Sequence, residues 1–226
     1  MSENFNEKDK IKAMIFDMDG TVVDSNKLDF EAWKHVFEQH EVALEYKDYI
    51  KLLGATSEEI ILKYLDINED EIEEFINKRE ALFKKYVNEK GLQPMPHIKG
   101  LLDQIKNAKI KMALATGAQR EKLDFMLEKI NLANYFDEIV TADDVEKGKP
   151  NAETFLKAAE KLQVSPDETI IWEDAEKGVE AAKNGNLKCI AITTTNEGKE
   201  GLEKADLLID SYKDIDLDDI LKHFNS

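Results

Sequence analysis

The sequence predicts an α/β protein: a mostly parallel sheet covered by helices on both faces and interrupted by a helical insertion. Three observations predict it. Short, continuous apolar runs rich in β-branched residues recur along the chain, as buried strands do. Amphipathic helical patterns of about 10 or more residues separate most of them, which favours parallel crossovers over hairpins. From about Leu28 to Gln93 the strands stop and only helical patterns remain.

Taken in order, the first strand is "KAMIF", Lys12 to Phe16, followed at once by "DMDGT". The insertion then carries "KLDFEAWKHVFEQH", "TSEEIILKYL" and "EDEIEEFINKREALFKKYVNEK". Thr56 or Ser57 ahead of glutamates reads as a helix cap. Gly91, Pro94 and Pro96 close the insertion. Residues 25–94 are therefore expected to form a helical cap domain, and residues 1–24 and 95–226 the core. Strands "IKMALAT", "ETIIW", "LKCIAIT" and "ADLLI" follow, with helices over Arg120 to Ile130, Ala152 to Leu162 and Ala175 to Asn184. This order makes the core Rossmann-like. In such open sheets ligands bind at the carboxyl ends of the strands, and an insertion leaving from that edge can act as a lid.

The composition excludes some classes of function. The 226 residues are enough for a sizeable core. Forty-eight acidic residues against 31 basic ones give a formal charge of -17. Such a surface repels nucleic acid and anionic membranes. One cysteine, Cys189, rules out an intrachain disulfide and fits a reducing compartment. The opening "MSENFNEKDK" is polar and acidic rather than a signal peptide, and no apolar run approaches the ~20 residues of a membrane span. A cytoplasmic protein, monomeric rather than an obligate oligomer, is the expectation.

Polar residues gather where the strands end. Asp17 and Asp19 follow strand one, two apart, so they share a face unless the chain bends. Gly20 permits a bend, and Thr21 can hydrogen-bond locally. A capped strand end with solvated aspartates is the competing reading of this pair. Thr116 ends "MALAT"; with Gly117 and the amides after it, it can hold an anion or merely cap the next helix. Lys149 sits between Gly148 and Pro150, either as a positioned phosphate ligand or as a solvated lysine. Glu173 and Asp174 follow "TIIW" directly, and adjacent carboxylates repel unless a cation is near. Acidic groups from two strand ends, with the four histidines dispersed, suit a hard, oxygen-ligated ion such as Mg²⁺.

"FDMDGTVVDS", "ATG", "GKP" and "WEDAEKG" stand in the order and spacing of the four motifs of the haloacid dehalogenase superfamily. The chain most resembles its subgroup with a helical cap inserted after the first motif, which holds β-phosphoglucomutase and many sugar-phosphate phosphatases. The resemblance spans Ile11 to Asp210. It implies that Asp17 is a nucleophile forming an aspartyl phosphate and that Asp19 is the general acid and base. It implies that Thr116, Gly117 and Lys149 bind the transferring phosphoryl group. It places Mg²⁺ on the Asp17 side chain, the Asp19 carbonyl and Asp174, with Glu173 in the extra acidic position of the phosphoglucomutase-like branch.

The cap separates two outcomes. The resembled mutases carry a histidine where Asp29 stands and basic residues in a loop that here reads "LLGATSEE". Lys51 is nearby and can partly compensate. Hydrolysis of a small phosphorylated metabolite, such as a sugar phosphate, is therefore expected. A β-phosphoglucomutase is the alternative, and a non-catalytic binding module on the same scaffold a second. Asn26, Asp29, Thr56 and Ser57, with Arg120 at the rim, are the candidates for reading the substrate. Trp33, Phe30, Phe37 and Tyr49 read more simply as the apolar face of cap helices.

Overall fold

The computed structural model describes residues 11–193 and 201–225; the polar first ten residues lie outside them. Among the described residues, six parallel strands form one sheet in the order β3-β2-β1-β4-β5-β6. They are β1 (Ala13–Phe16), β2 (Lys111–Ala115), β3 (Glu138–Val140), β4 (Thr169–Glu173), β5 (Lys188–Ile192) and β6 (Leu207–Ile209). Strand β1 is central. Its Ile15 lies level with Ala113 of β2 on one side and Ile171 of β4 on the other. The chain runs outward from β1 first in one direction and then in the other, so the reversal of strand order falls between β1 and β4. That crevice is where open sheets of this kind bind ligands.

The period of two explains why the strands are apolar throughout. Met14 and Phe16 pack into one core cluster, while Ala13 and Ile15 pack into the other. The first cluster lies under α5 (Ile98–Asn107), α6 (Arg120–Ile130) and α9 (Leu217–Phe224); the second under α7 (Glu153–Lys161) and α8 (Glu176–Asn184). Burying each such large side chain contributes about 1.5–3 kcal/mol.

Between β1 and α5 lie α1 (Asn26–Glu38), α2 (Tyr46–Ile50), α3 (Ser57–Tyr64) and α4 (Glu69–Lys90). They share a cluster of their own around Trp33, Phe37, Ile61 and Phe75. Thr56 caps α3: its side chain accepts from the Glu59 N–H, and Glu59 accepts from the Thr56 N–H. Asn68 and Glu71 make the same reciprocal pair at α4. Among the described residues no helix is long and apolar enough to cross a membrane.

The expected strands and helices appear, with ends moved by a few residues. Strand β3 and helices α5 and α9 are additions. Strand β3 has three residues, two of them only partly buried, so its apolar signal is too short to stand out.

Candidate active site

The site is assembled from strand ends. The Asp17 N–H still donates to the Trp172 carbonyl of β4 at 2.9 Å, so the sheet fixes Asp17 at the head of the crevice. Asp19 stands just before a bend at Gly20, whose φ is +77°. A Cβ on Gly20 would collide with the Asp174 carboxylate and the Asn26 amide, so the backbone must pass bare at this point. Both aspartates line one cavity of about 290 Å³ between the strand ends and the inserted helices. Thr21 does not bond locally as expected. Its hydroxyl donates to Asp174 Oδ1 at 3.1 Å, tying the end of β1 to the end of β4. Asn26 Nδ2 reaches Asp174 Oδ2 at 3.5 Å.

Lys149 is buried, and its Nζ lies 2.5 Å from Asp17 Oδ1 and 2.6 Å from Glu173 Oε1. The solvated-lysine reading is thereby excluded. The Lys149–Pro150 peptide is cis. Glu173 is occupied at both ends, because its other oxygen accepts the N–H groups of Asp174 and Ala175 at 2.7 and 2.8 Å. A Cβ on Gly178, in the first turn of α8, would occupy the space of this carboxylate. Thr116 and Gly117 line the cavity beside Asp17, and the Thr116 hydroxyl accepts the Ala118 N–H at 3.1 Å.

Electrostatics follow from burial. Burial pushes the Asp17 carboxyl up to about 7; Lys149 works against that, and Glu173 and Asp19 add to it. Burial opposes the charge on Lys149, but Asp17 and Glu173 outweigh it and hold the ammonium protonated. Carboxylate oxygens of Asp17, Glu173 and Asp174 lie within 4.8 Å of one another. A buried, all-oxygen donor set with one lysine for three carboxylates fits a hard divalent ion such as Mg²⁺. Asp17 and Asp174 would hold it, with Glu173 committed to Lys149 and the backbone.

Facing this cluster, the inserted helices present Asp29, which four donors saturate. Trp33 Nε1 and the Tyr49 hydroxyl lie 3.0 Å from its Oδ2; Arg79 Nη1 and Lys122 Nζ lie 2.8 and 3.2 Å from its Oδ1. Burial opposes the charge on Asp29, yet Lys122 and Arg79 prevail and hold it at about 2. With its acceptor sites filled, Asp29 organises its neighbours. Lys122 comes from α6 and also approaches Asp19 Oδ1 at 3.7 Å, so it joins the insertion to the strand ends.

The expected substrate readers divide. Thr56 and Ser57 line the cavity, and Ser57 Oγ accepts from Arg79 Nη2 at 3.0 Å. Arg120 is exposed, pairs with Asp124 at 2.8 Å and is not among the lining residues. Lys51 is exposed and does not line the cavity either. The sequence reading missed Arg79 of α4 and Lys122 of α6, which bring to the cavity the positive charge that the cap loop lacks. A signal for Arg79 was present: it replaces an apolar residue in the α4 stripe Ile72, Phe75, Phe83, Val87. Trp33 and Tyr49, read as core, also reach the cavity.

Comparison with known proteins agrees with this geometry. The family model described as haloacid dehalogenase-like hydrolase matches residues 14–192. A phosphorylated carbohydrates phosphatase of Thermotoga maritima is 36% identical over 199 residues, covering 85% of this chain and 91% of that protein. A β-phosphoglucomutase of Bacillus subtilis is 30% identical over 218 residues, covering 92% and 93%. The crystal structure of a β-phosphoglucomutase from Clostridium difficile superposes with a TM-score of 0.84 at 25% identity, covering 95% and 97% of the two chains.

Proposed function

The chain belongs to the haloacid dehalogenase-like hydrolase family, and we propose that it is a Mg²⁺-dependent hydrolase of a small phosphomonoester, acting through an aspartyl phosphate on Asp17. The observation that carries this reading is the Asp17–Lys149 pair at 2.5 Å, buried at the end of the central strand and opening on the same cavity as Asp19 and Asp174.

A phosphate ester and a carboxylate repel, so attack needs fixed positive charge. Lys149 provides it beside the attacking oxygen. Mg²⁺, held by Asp17, the Asp19 carbonyl and Asp174, would add charge neutralisation at the phosphoryl oxygens. Thr116 and the amides after β2 hold the remaining phosphoryl oxygens. Asp17 attacks phosphorus while the ester P–O bond breaks, and Asp19 gives its proton to the departing alkoxide. Water then attacks phosphorus, Asp19 takes the proton, and the bond to Asp17 breaks. Inorganic phosphate leaves, with Asp17 ionised and Asp19 protonated again. Closure by the inserted helices excludes bulk water from these steps.

The named phosphatase among the relatives supports a carbohydrate phosphate as substrate. A β-phosphoglucomutase is the second reading. Arg79 and Lys122 favour it, since they place two cations in the cavity where the loop motif supplies none. Phosphate release from a panel of sugar, polyol and acid phosphates with Mg²⁺ tests the proposal, with glucose 6-phosphate formation from β-glucose 1-phosphate read alongside. Free phosphate from at least one ester, lost with chelator, is expected. Glucose 6-phosphate with little free phosphate would establish the mutase, and neither product would refute both.

A further inference from the structure

Tyr212 lies past β6, outside residues 14–192 matched by the family model, and it does not line the cavity. Yet its hydroxyl donates to the carbonyl of Thr21, 191 residues earlier, at 2.9 Å. Both residues are buried. The loop from Met18 to Val23 otherwise closes on itself. Its Val22 and Val23 N–H groups donate to the Met18 carbonyl, and the Gly20 N–H donates to the Val23 carbonyl. The Thr21 carbonyl stands outside those bonds and goes to Tyr212. Phenylalanine would fill the same space without a hydroxyl to desolvate, so packing alone does not account for a tyrosine here.

Two contacts place Tyr212 behind the carboxylates. Thr21 carries the first onward, because its own hydroxyl donates to Asp174 Oδ1 at 3.1 Å. In the second, the Tyr212 ring lies 5.8 Å from the Trp172 ring. Trp172 stands just before Glu173 and Asp174, and it stacks at 5.6 Å on Phe16, which stands just before Asp17. Tyr212 therefore braces both strand ends that bear the metal donors, the end of β1 through Thr21 and the end of β4 through Trp172. Burial, with Asp174, Asp17 and Glu173 in range, keeps the phenol protonated and so a donor.

Mg²⁺ tolerates little departure from octahedral geometry at about 2.0–2.1 Å, so donors from two strands must be held in register with each other. Partners that orient metal ligands typically set affinity by about 10–100-fold. We infer that Tyr212 is a positioning residue that acts through Thr21 to hold Asp174 against the β1 loop and so sets the affinity of the site for Mg²⁺. The inference rests on the Mg²⁺ site of the hydrolase reading and adds to it a residue that touches neither substrate nor ion.

The test is the Kd for Mg²⁺, read by isothermal titration calorimetry on the metal-free full chain with no ester present. Wild type, Tyr212→Phe, Thr21→Val and the double variant are compared. Tyr212→Phe keeps the ring on Trp172 and removes the hydroxyl; it is expected to raise Kd about fivefold, the scale of one hydrogen bond. Thr21→Val is expected to raise Kd about tenfold. The double variant is expected to match Thr21→Val, because the tyrosine works through the threonine. Single effects that multiply in the double variant would overturn that route and the inference with it. A lower Tm with an unchanged Kd in Tyr212→Phe is the mark of a purely structural hydroxyl and would also overturn it. If Tyr212→Phe fails to fold, Thr21→Val decides: a raised Kd supports the relay to Asp174, and a wild-type Kd overturns it. Equal Kd values in all four proteins overturn this inference alone. A wild type that binds no Mg²⁺ overturns the Mg²⁺-dependent hydrolase reading and this one with it.

Discussion

Lys149 Nζ lies 2.6 Å from Glu173 Oε1, a carboxylate whose other oxygen is held by two backbone N–H groups. Glu173 therefore acts as a fixed post for the lysine that serves Asp17. Moving the post moves the charge. Gly178→Ala inserts a methyl group into the space of Glu173. It is expected to lower kcat more than it raises KM, by about 10²-fold, the cost of misplacing a reacting group by roughly 1 Å. An equal change in KM with kcat intact would assign Lys149 to ground-state binding only.

Asp17→Asn is expected to reduce kcat on the order of 10⁴-fold or more, the scale of losing a covalent nucleophile. It also carries a stability signature. A carboxyl raised from 3.8 to about 7 stabilises the fold below its unfolded value and loses that contribution as pH rises through 7. Asparagine cannot ionise. In metal-free buffer, the Tm of Asp17→Asn relative to wild type is expected to be more favourable at pH 8 than at pH 5. The opposite trend would mean that Lys149 already keeps Asp17 ionised.

Metal binding should register without turnover. Saturating Mg²⁺ at about 100 times Kd stabilises a folded protein by about 2.7 kcal/mol. Protons compete for Asp17, so the Mg²⁺-induced rise in Tm is expected to be larger at pH 8 than at pH 5.5. Asp174→Ala is expected to abolish most of that rise. An unchanged Mg²⁺ titration midpoint would remove Asp174 from the metal site.

Asp29 is expected to be a structural keystone. Asp29→Ala leaves Arg79 and Lys122 buried without their shared partner, a loss of about 3–5 kcal/mol. The linkage is of the usual carboxylate sign. With a folded value of about 2 against 3.8 unfolded, Asp29 contributes fully above pH 3.8 and loses its contribution as pH falls toward 2. Wild type is expected to lose on the order of 2 kcal/mol through this window, and Asp29→Ala much less. Parallel acid unfolding curves for the two proteins would contradict this.

What the sequence disclosed and what it hid have physical reasons. Asp17, Asp19, Thr116, Lys149 and Asp174 were legible because each follows a strand or opens a helix, where local sequence fixes position. Their convergence follows from the order of parallel strands. The cap side was less legible. Arg79, Lys122 and Asp29 meet from α4, α6 and α1, at sequence separations of 50 and 93 residues, and no local pattern encodes that meeting. Asp29 was singled out as a substrate reader; it lines the cavity, and what its position did not disclose is that four donors hold its carboxylate. Thr21 likewise found its partner 153 residues away.

The account turns on Asp17 becoming phosphorylated. The most direct measurement is to mix the protein, Mg²⁺ and a turned-over ester, quench with borohydride and map the product by mass spectrometry. Borohydride reduces an acyl phosphate to the homoserine level. Homoserine at position 17, absent without substrate and absent in Asp17→Asn, is the predicted result. Phosphate release with unmodified Asp17, or homoserine at another acidic residue, would contradict it.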